Sequence, residues 1–196
     1  RRAGGQIYTA VLQRIDSGGC IRGEEATERF FRICCEHAVQ RSLSEMQQGS
    51  GDDEGRDRQG EDQQEASDQA ASSMNWAAID SFTRLILLLM KAADKAEMLT
   101  RALAAIGQEL MKDAAMKERQ FNQRPYFRIL LNLLMDVNSP DPNFEHATFQ
   151  LLSAFCNAFH ACNPLRVPNF AFAWLELISN RMFMPKLLMV KQQRGW

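Results

Sequence analysis

The 196-residue chain is long enough for one domain, and its 45% of hydrophobic residues is enough to build a packed core. A formal net charge of -1 excludes the strongly basic balance that is typical of proteins that bind nucleic acids. The first twenty residues lack the apolar core of a signal peptide, and no apolar run is long enough to span a bilayer. We therefore expect a soluble, intracellular protein.

The first part of the chain predicts two helices that pack as a hairpin. A short helix covers Gln6 to Ile15 and ends at the breaker Ser17-Gly18-Gly19. A longer helix starts at about Glu24, and its expected apolar face carries Phe30, Ile33, Cys34 and His37.

An acidic, low-complexity segment follows at residues 47–73. It holds eight acidic residues against Arg56 and Arg58, a local net charge of -6 that leaves about +5 for the remainder of the chain. Because the segment has no aliphatic residue larger than alanine, it cannot bury enough surface to offset the entropy of ordering. We predict a disordered loop inserted into a single domain that covers residues 1–196.

Helical periodicity resumes after the loop. A helix from about Met74 to Ala93 is apolar on every side and is expected to be central to the core. The next helix is amphipathic, which predicts a position at the surface of the bundle; its apolar positions are Leu99, Leu103, Ile106 and Leu110.

Three more helices are predicted in the second half of the chain. Pro125 suits the first turn of a helix that ends at the prolines of residues 139–142. Apolar residues recur at helical spacing from Phe149 to Phe159, and the last helix runs from Phe170 to Met182. Pro185 is expected to interrupt any continuation. The fold class is all-α: an irregular antiparallel bundle, or a HEAT-like α-solenoid, of about seven helices.

Candidate catalytic and metal-binding residues are few. Cys156 and His160 stand four apart on one predicted helix, but no further ligands complete a tetrahedral set. The five cysteines have no disulfide-framework spacing and are interpreted as buried thiols in a reducing compartment. With no phosphate-binding glycine loop, nucleophile elbow or metalloprotease motif in the sequence, we expect no enzyme activity, no metal and no cofactor.

Protein recognition is the remaining class of site. Aromatic rings beside arginines are common at protein interfaces, because both bury a large area at a small entropic cost. The candidates for partner binding are Phe121, Arg124, Tyr126, Arg128 and Trp174. Trp174 is interpreted first as an anchor in the core, and the alternative is that it forms part of a groove for a partner helix.

Several blocks of the sequence resemble one known family. They are FNQRPYFR at 121–128, NLL at 132–134, NSP at 138–140, AFCN at 154–157, FAWLELIS at 172–179 and QQRGW at 192–196. Upstream, residues 28–32 and 80–86 are similar as well. In order and spacing these blocks resemble the carboxy-terminal homology domain of the Not-one subunit of the CCR-NOT mRNA deadenylation complex.

The resemblance implies a non-catalytic helical scaffold that docks the Not-two and Not-three/five subunits. It also implies binding of short peptides from mRNA-binding repressors, a role in mRNA decay and translational repression, and a cytoplasmic, P-body-associated location with a nuclear pool. Since family members continue beyond the equivalent of Trp196, we expect the domain to be truncated at its carboxy-terminal end. The alternative hypothesis is a helical-repeat RNA-binding protein. The net charge of about +5 outside the acidic segment is compatible with weak RNA binding.

Overall fold

The computed structural model describes residues 23–49, 75–116, 120–139, 144 and 146–193. Within these ranges the chain forms seven α-helices, one 3-10 helix and no strand, which confirms the all-α class. The α-helices are α1 (Glu24–Gly49), α2 (Ala77–Ala92), α3 (Lys95–Ala115), α4 (Arg124–Val137), α5 (Thr148–Ala161), α6 (Ala171–Ile178) and α7 (Met184–Gln193); the 3-10 helix is Pro168–Phe170.

Helix α1 is present as predicted, but it turns a different face to the core. Its buried residues are Thr27, Phe31, Cys35, Ala38, Val39 and Ser42. Ile33 is 44% exposed and His37 is also exposed. The predicted face was therefore wrong: the buried face is shifted by one residue along the sequence. The apolar pairs at 30–31 and 34–35 allow two registers, and only the observed one continues through Ala38 and Val39.

Helix α1 also extends past the predicted start of the acidic loop, because it ends at Gly49 rather than before residue 47. The remainder of that predicted loop, residues 50–73, lies outside the described residues. The predicted opening helix from Gln6 to Ile15 lies outside them too.

Helix α2 is central, as its apolar sequence predicts, since it packs against α1, α3 and α4. Helix α3 is central as well, and the prediction of a surface position for it was wrong. It packs against α1, α2 and α5, and its buried face includes Ala102, Ala105 and Glu109 between the predicted leucines and isoleucine. Alanine side chains are small, so neighbouring helices can approach closely at these positions. A helix whose large apolar residues form a single stripe can therefore still be covered by other helices on most of its surface.

Helix α4 starts as predicted, with Pro125 in its first turn, where the missing N–H costs no helical hydrogen bond. It ends at Val137, and the Asn138 side chain donates a 2.8 Å hydrogen bond to the carbonyl of Leu134. This satisfies one of the carbonyl groups that a helix end leaves without a partner.

The last predicted helix is divided into separate elements. Helix α6 stops at Ile178, and a turn follows in which Asn180 Oδ1 accepts from the Met182 N–H at 2.8 Å. Pro185 then forms part of the first turn of α7, so it permits a new helix rather than interrupting an old one. The turn buries Phe183, whose ring lies 5.3 Å and 6.4 Å from those of Phe159 and Phe155 and ties this end of the chain to α5.

Candidate protein interface

Tyr126, a predicted contact residue, lies in the core. Its side chain is 1% exposed, and its hydroxyl donates a 2.6 Å hydrogen bond to Asp113 Oδ2 on α3. Its ring stacks on Phe121, which is half-buried, at a centroid distance of 6.1 Å. Burial, and then the hydrogen bond to Asp113, raise the pKa of Tyr126 above its ordinary value. Both aromatic residues therefore join α4 to the rest of the chain.

The two predicted arginines differ in their surroundings. Arg128 contacts Asp80 on α2 through Nε to Oδ1 at 3.3 Å, and its guanidinium lies 5.6 Å from the ring centroid of Trp76. Asn132 donates to the same carboxylate at 2.9 Å. Arg124, in contrast, is exposed, so of these two arginines it is the one accessible to a partner.

Trp174 is half-buried, and its Nε1 donates a 2.8 Å hydrogen bond to the carbonyl of Phe159. This contact attaches α6 to α5 and gives Trp174 a structural role. The structure thus brings Phe121 and Tyr126 together, and it places Arg128 and Trp174 in contacts within the chain.

A different surface of α6 is open. Phe172 is 74% exposed and Leu175 is 58% exposed, and we call these two residues the α6 face. Leu165, which precedes the 3-10 helix, is 95% exposed. Ala173 and Leu177, on the same helix, are buried. Sequence reasoning missed the face because Glu176 is the one polar residue in the run FAFAWLELI and gives little indication of which side is exposed. The spacing of three between Phe172 and Leu175 was a signal that they share one side of a helix.

An ionic cluster joins α1 to α3, and sequence reasoning missed this too. Glu109 is 3% exposed; its carboxylate lies 3.6 Å from Arg32 Nε and 3.0 Å from Lys112 Nζ. Lys112 also reaches Glu36 at 3.2 Å, and these two hydrogen bonds raise its pKa. The paired charges explain how a carboxylate can be accommodated in the core.

Thiol chemistry finds little support in the described residues. Cys34, Cys35, Cys156 and Cys162 are free cysteines, and burial raises the pKa of each thiol, that of Cys162 to about 11. A raised pKa keeps these groups as neutral thiols near pH 7, whereas a nucleophilic cysteine needs a lowered one. Cys35 and Cys162 are buried as predicted, while Cys34 and Cys156 are half-buried; Cys20 lies outside the described ranges.

Two other candidate features are modest. Across the described ranges, no three residues of the types His, Cys, Asp and Glu are placed to hold a metal ion, and His160 is exposed.

An open cleft of about 380 Å³ lies near the start of α3, and its lining residues are Ala93, Asp94, Lys95, Ala96, His146, Ala147 and Gln150. Asp94 caps α3 there by accepting the Glu97 N–H at 2.8 Å. None of the described helices is both long and apolar enough to cross a membrane.

Comparison with known proteins gives these surfaces a context. Residues 134–196 match the family model described as "CCR4-Not complex component, Not1". The CCR4-NOT transcription complex subunit let-711 of Caenorhabditis elegans is 27% identical over 96% of this chain. The general negative regulator of transcription subunit 1 of Saccharomyces cerevisiae is 30% identical over 61% of it. This chain is thus similar to the Not1 subunits of CCR4-NOT complexes, and residues 134–196 match the Not1 family model.

The fold agrees with this family. The structure of the NOT1 superfamily homology domain from Chaetomium thermophilum matches 96% of this chain with a TM-score of 0.70 at 21% identity, and this chain covers 34% of it. The two curated Not1 relatives are far longer than this chain, which spans 7% of the first and 6% of the second. The resemblance drawn from the sequence is thereby confirmed. The α6 face lies within the residues that match the Not1 family model.

Proposed function

We propose that this Not1 region is a non-catalytic scaffold domain of a CCR4-NOT complex that docks the Not-two and Not-three/five subunits. The observation that carries the proposal is the Not1 match together with the agreement in fold. In this role the domain supports mRNA deadenylation, decay and translational repression, and repressor peptides are further candidate ligands.

The described surfaces support a docking role. Arg32 and Glu109 pair α1 with α3, and the hydrogen bond from Tyr126 to Asp113 joins α4 to α3. The α6 face presents large apolar side chains at the surface. Phe172 and Leu175 are neighbours on one helix, and exposed apolar neighbours of this kind occur at protein-binding surfaces. The raised thiol pKa values argue against a cysteine nucleophile in the same region.

We also propose a cytoplasmic, P-body-associated location with a nuclear pool. Free cysteines on α1 and α5 suit a reducing compartment. Imaging of the tagged protein tests this, and accumulation in the secretory pathway would contradict it.

The experiment that tests the proposed function is a pull-down of the chain with the matching Not-two and Not-three/five subunits. Retention of both subunits is the expected result, and the ionic strength is varied to distinguish specific docking from charge attraction. A parallel assay with a polyadenylated RNA substrate should show no shortening by the chain alone. If neither subunit is retained and the chain instead binds the RNA with a steep salt dependence, the RNA-binding alternative replaces the scaffold.

A further inference from the structure

Helix α1 carries a second apolar stripe beside the face that it buries in the core. Ile33 and Cys34 follow Phe30 by three and four residues, which places all three on one side of the helix, and we call them the α1 stripe. Phe30 and Cys34 are half-buried, and Ile33 is 44% exposed. The α1 stripe is therefore partly open, although its side chains are apolar.

A second stripe of apolar residues lies in the sequence before α1. The segment from Gln6 to Ile15 lies outside the described residues, and its large apolar side chains are Ile7, Tyr8, Val11, Leu12 and Ile15. At helical spacing these five residues share one side, and Gln13 falls on the opposite side. Because a helix of ten residues is marginal in water on its own, such a segment needs a surface on which to bury its apolar side.

The start of α1 allows the segment to return along the helix. Gly23 has a φ of 91°, a left-handed conformation that is typical of glycine in turns. Its carbonyl accepts a 2.8 Å hydrogen bond from the Thr27 hydroxyl, which joins this turn to the first turn of α1. Residues 16–23 connect the segment to α1 and can span up to about 26 Å. Phe30 lies about 9 Å along the axis of α1, and packed helices lie about 8 to 10 Å apart, so the connection is long enough.

We propose that residues 6–15 form a helix that packs antiparallel on the α1 stripe. A helix of this length extends about 15 Å, which equals the length of α1 from Phe30 to Gln40. In this arrangement Ile15 lies near Phe30, and Leu12 lies near Ile33. The short connection gives the segment a high effective concentration at the stripe, which favours it over a free partner protein.

The same arrangement explains why the sequence pattern of α1 fits two faces. The face with Phe31 and Cys35 packs against α2 and α3, and the adjacent α1 stripe receives the segment before α1. This contact lies within the chain, so it goes beyond subunit docking, and its test does not depend on whether the subunit pull-down succeeds.

The rate at which N-ethylmaleimide labels Cys34 tests the proposal, and peptide mass spectrometry locates the label. Leu12→Asp places a carboxylate in the proposed contact, and Cys34 should then react about tenfold faster, because a buried charge favours release of the segment. Gln13→Asp is the matched control, since it adds the same charge on the opposite side of the segment and should leave the rate unchanged. Cys156, a half-buried thiol on α5, should react at the same rate in all three chains, which shows that the bundle stays folded. Leu12→Ala is the milder variant and should give a smaller acceleration at Cys34.

Trypsin cleavage after Arg14 tests the same contact from the other side. Ile33→Asp should speed this cleavage about tenfold, because the released segment is open to the protease. Met135→Asp is the matched control on α4, where Met135 is 38% exposed, and it should leave the cleavage rate unchanged.

Three results would overturn the proposal. The first is unchanged labelling of Cys34 in both Leu12 variants, and the second is unchanged cleavage after Arg14 in Ile33→Asp. The third is a labelling rate of Cys34 that rises when the unchanged chain is diluted, because a second copy of the chain would then cover the α1 stripe.

Discussion

Tyr126→Phe removes one hydroxyl and leaves the ring, so it isolates the hydrogen bond to Asp113. The bond is 2.6 Å long and lies in the core, where a hydrogen bond to a charged group contributes about 1.5 to 3 kcal/mol. For a chain of this size that loss corresponds to a fall in melting temperature of about 3 to 12 °C. Stacking on Phe121 is retained in the variant, which keeps the change confined to the hydroxyl.

Urea denaturation followed by circular dichroism measures the effect, and its pH dependence gives a second readout. Since folding raises the pKa of Tyr126, its contribution is complete below the unfolded value near 10 and decreases as the pH rises above it. The difference in stability between the unchanged chain and the variant should therefore shrink above about pH 10. If Tyr126→Phe is as stable as the unchanged chain but loses its partner subunits, Tyr126 is a contact residue and its assignment to the core is refuted.

Other substitutions test the remaining contacts. Trp174→Ala should destabilise the chain by about 3 kcal/mol. This is the low end of the range for loss of a large aromatic residue, because the side chain is half-buried. A melting temperature equal to that of the unchanged chain would contradict this. Arg128→Ala should lower the free energy of unfolding by no more than about 1 kcal/mol, because the ion pair with Asp80 is exposed to solvent. A clearly larger loss in chemical denaturation would show that Arg128 has a larger role. Phe172→Ala should leave stability within about 0.5 kcal/mol, and a clear loss on calorimetry would place this ring in the core. Deletion of residues 50–70 should leave helical content nearly unchanged, which far-ultraviolet circular dichroism checks.

Much of the fold followed from the sequence because helices have strong local signals. The period of apolar residues and the positions of proline located α2, α4 and α5. The buried face of α1 was not predicted correctly, because the pairs at 30–31 and 34–35 fit either face and only the weaker signal of Ala38 and Val39 favours the one that packs against α2 and α3. The central position of α3 was not predicted, because alanine is only weakly hydrophobic and the buried alanines do not stand out in the sequence pattern.

The candidate interface was harder to predict because an interface residue and a core residue have the same chemistry. Tyr126 and Arg124 are two positions apart, yet one is buried against Asp113 and the other is exposed. The turn after α6, in which Asn180 forms hydrogen bonds, divides what the sequence pattern predicts as a single helix. Phe172 and Leu175 are exposed although their residue types are typical of a core. The exposure of a side chain depends on how the helices pack against one another, and a single sequence does not specify this packing directly.

We propose this chain as a docking platform for subunits of a CCR4-NOT complex. Size-exclusion chromatography with light scattering, on the chain mixed with purified Not-two and Not-three/five subunits, tests it most directly. We expect one stable species whose mass equals the sum of the three components. Separate elution of the chain at its own mass of 22.3 kDa, at concentrations well above those used in the pull-down, would contradict it.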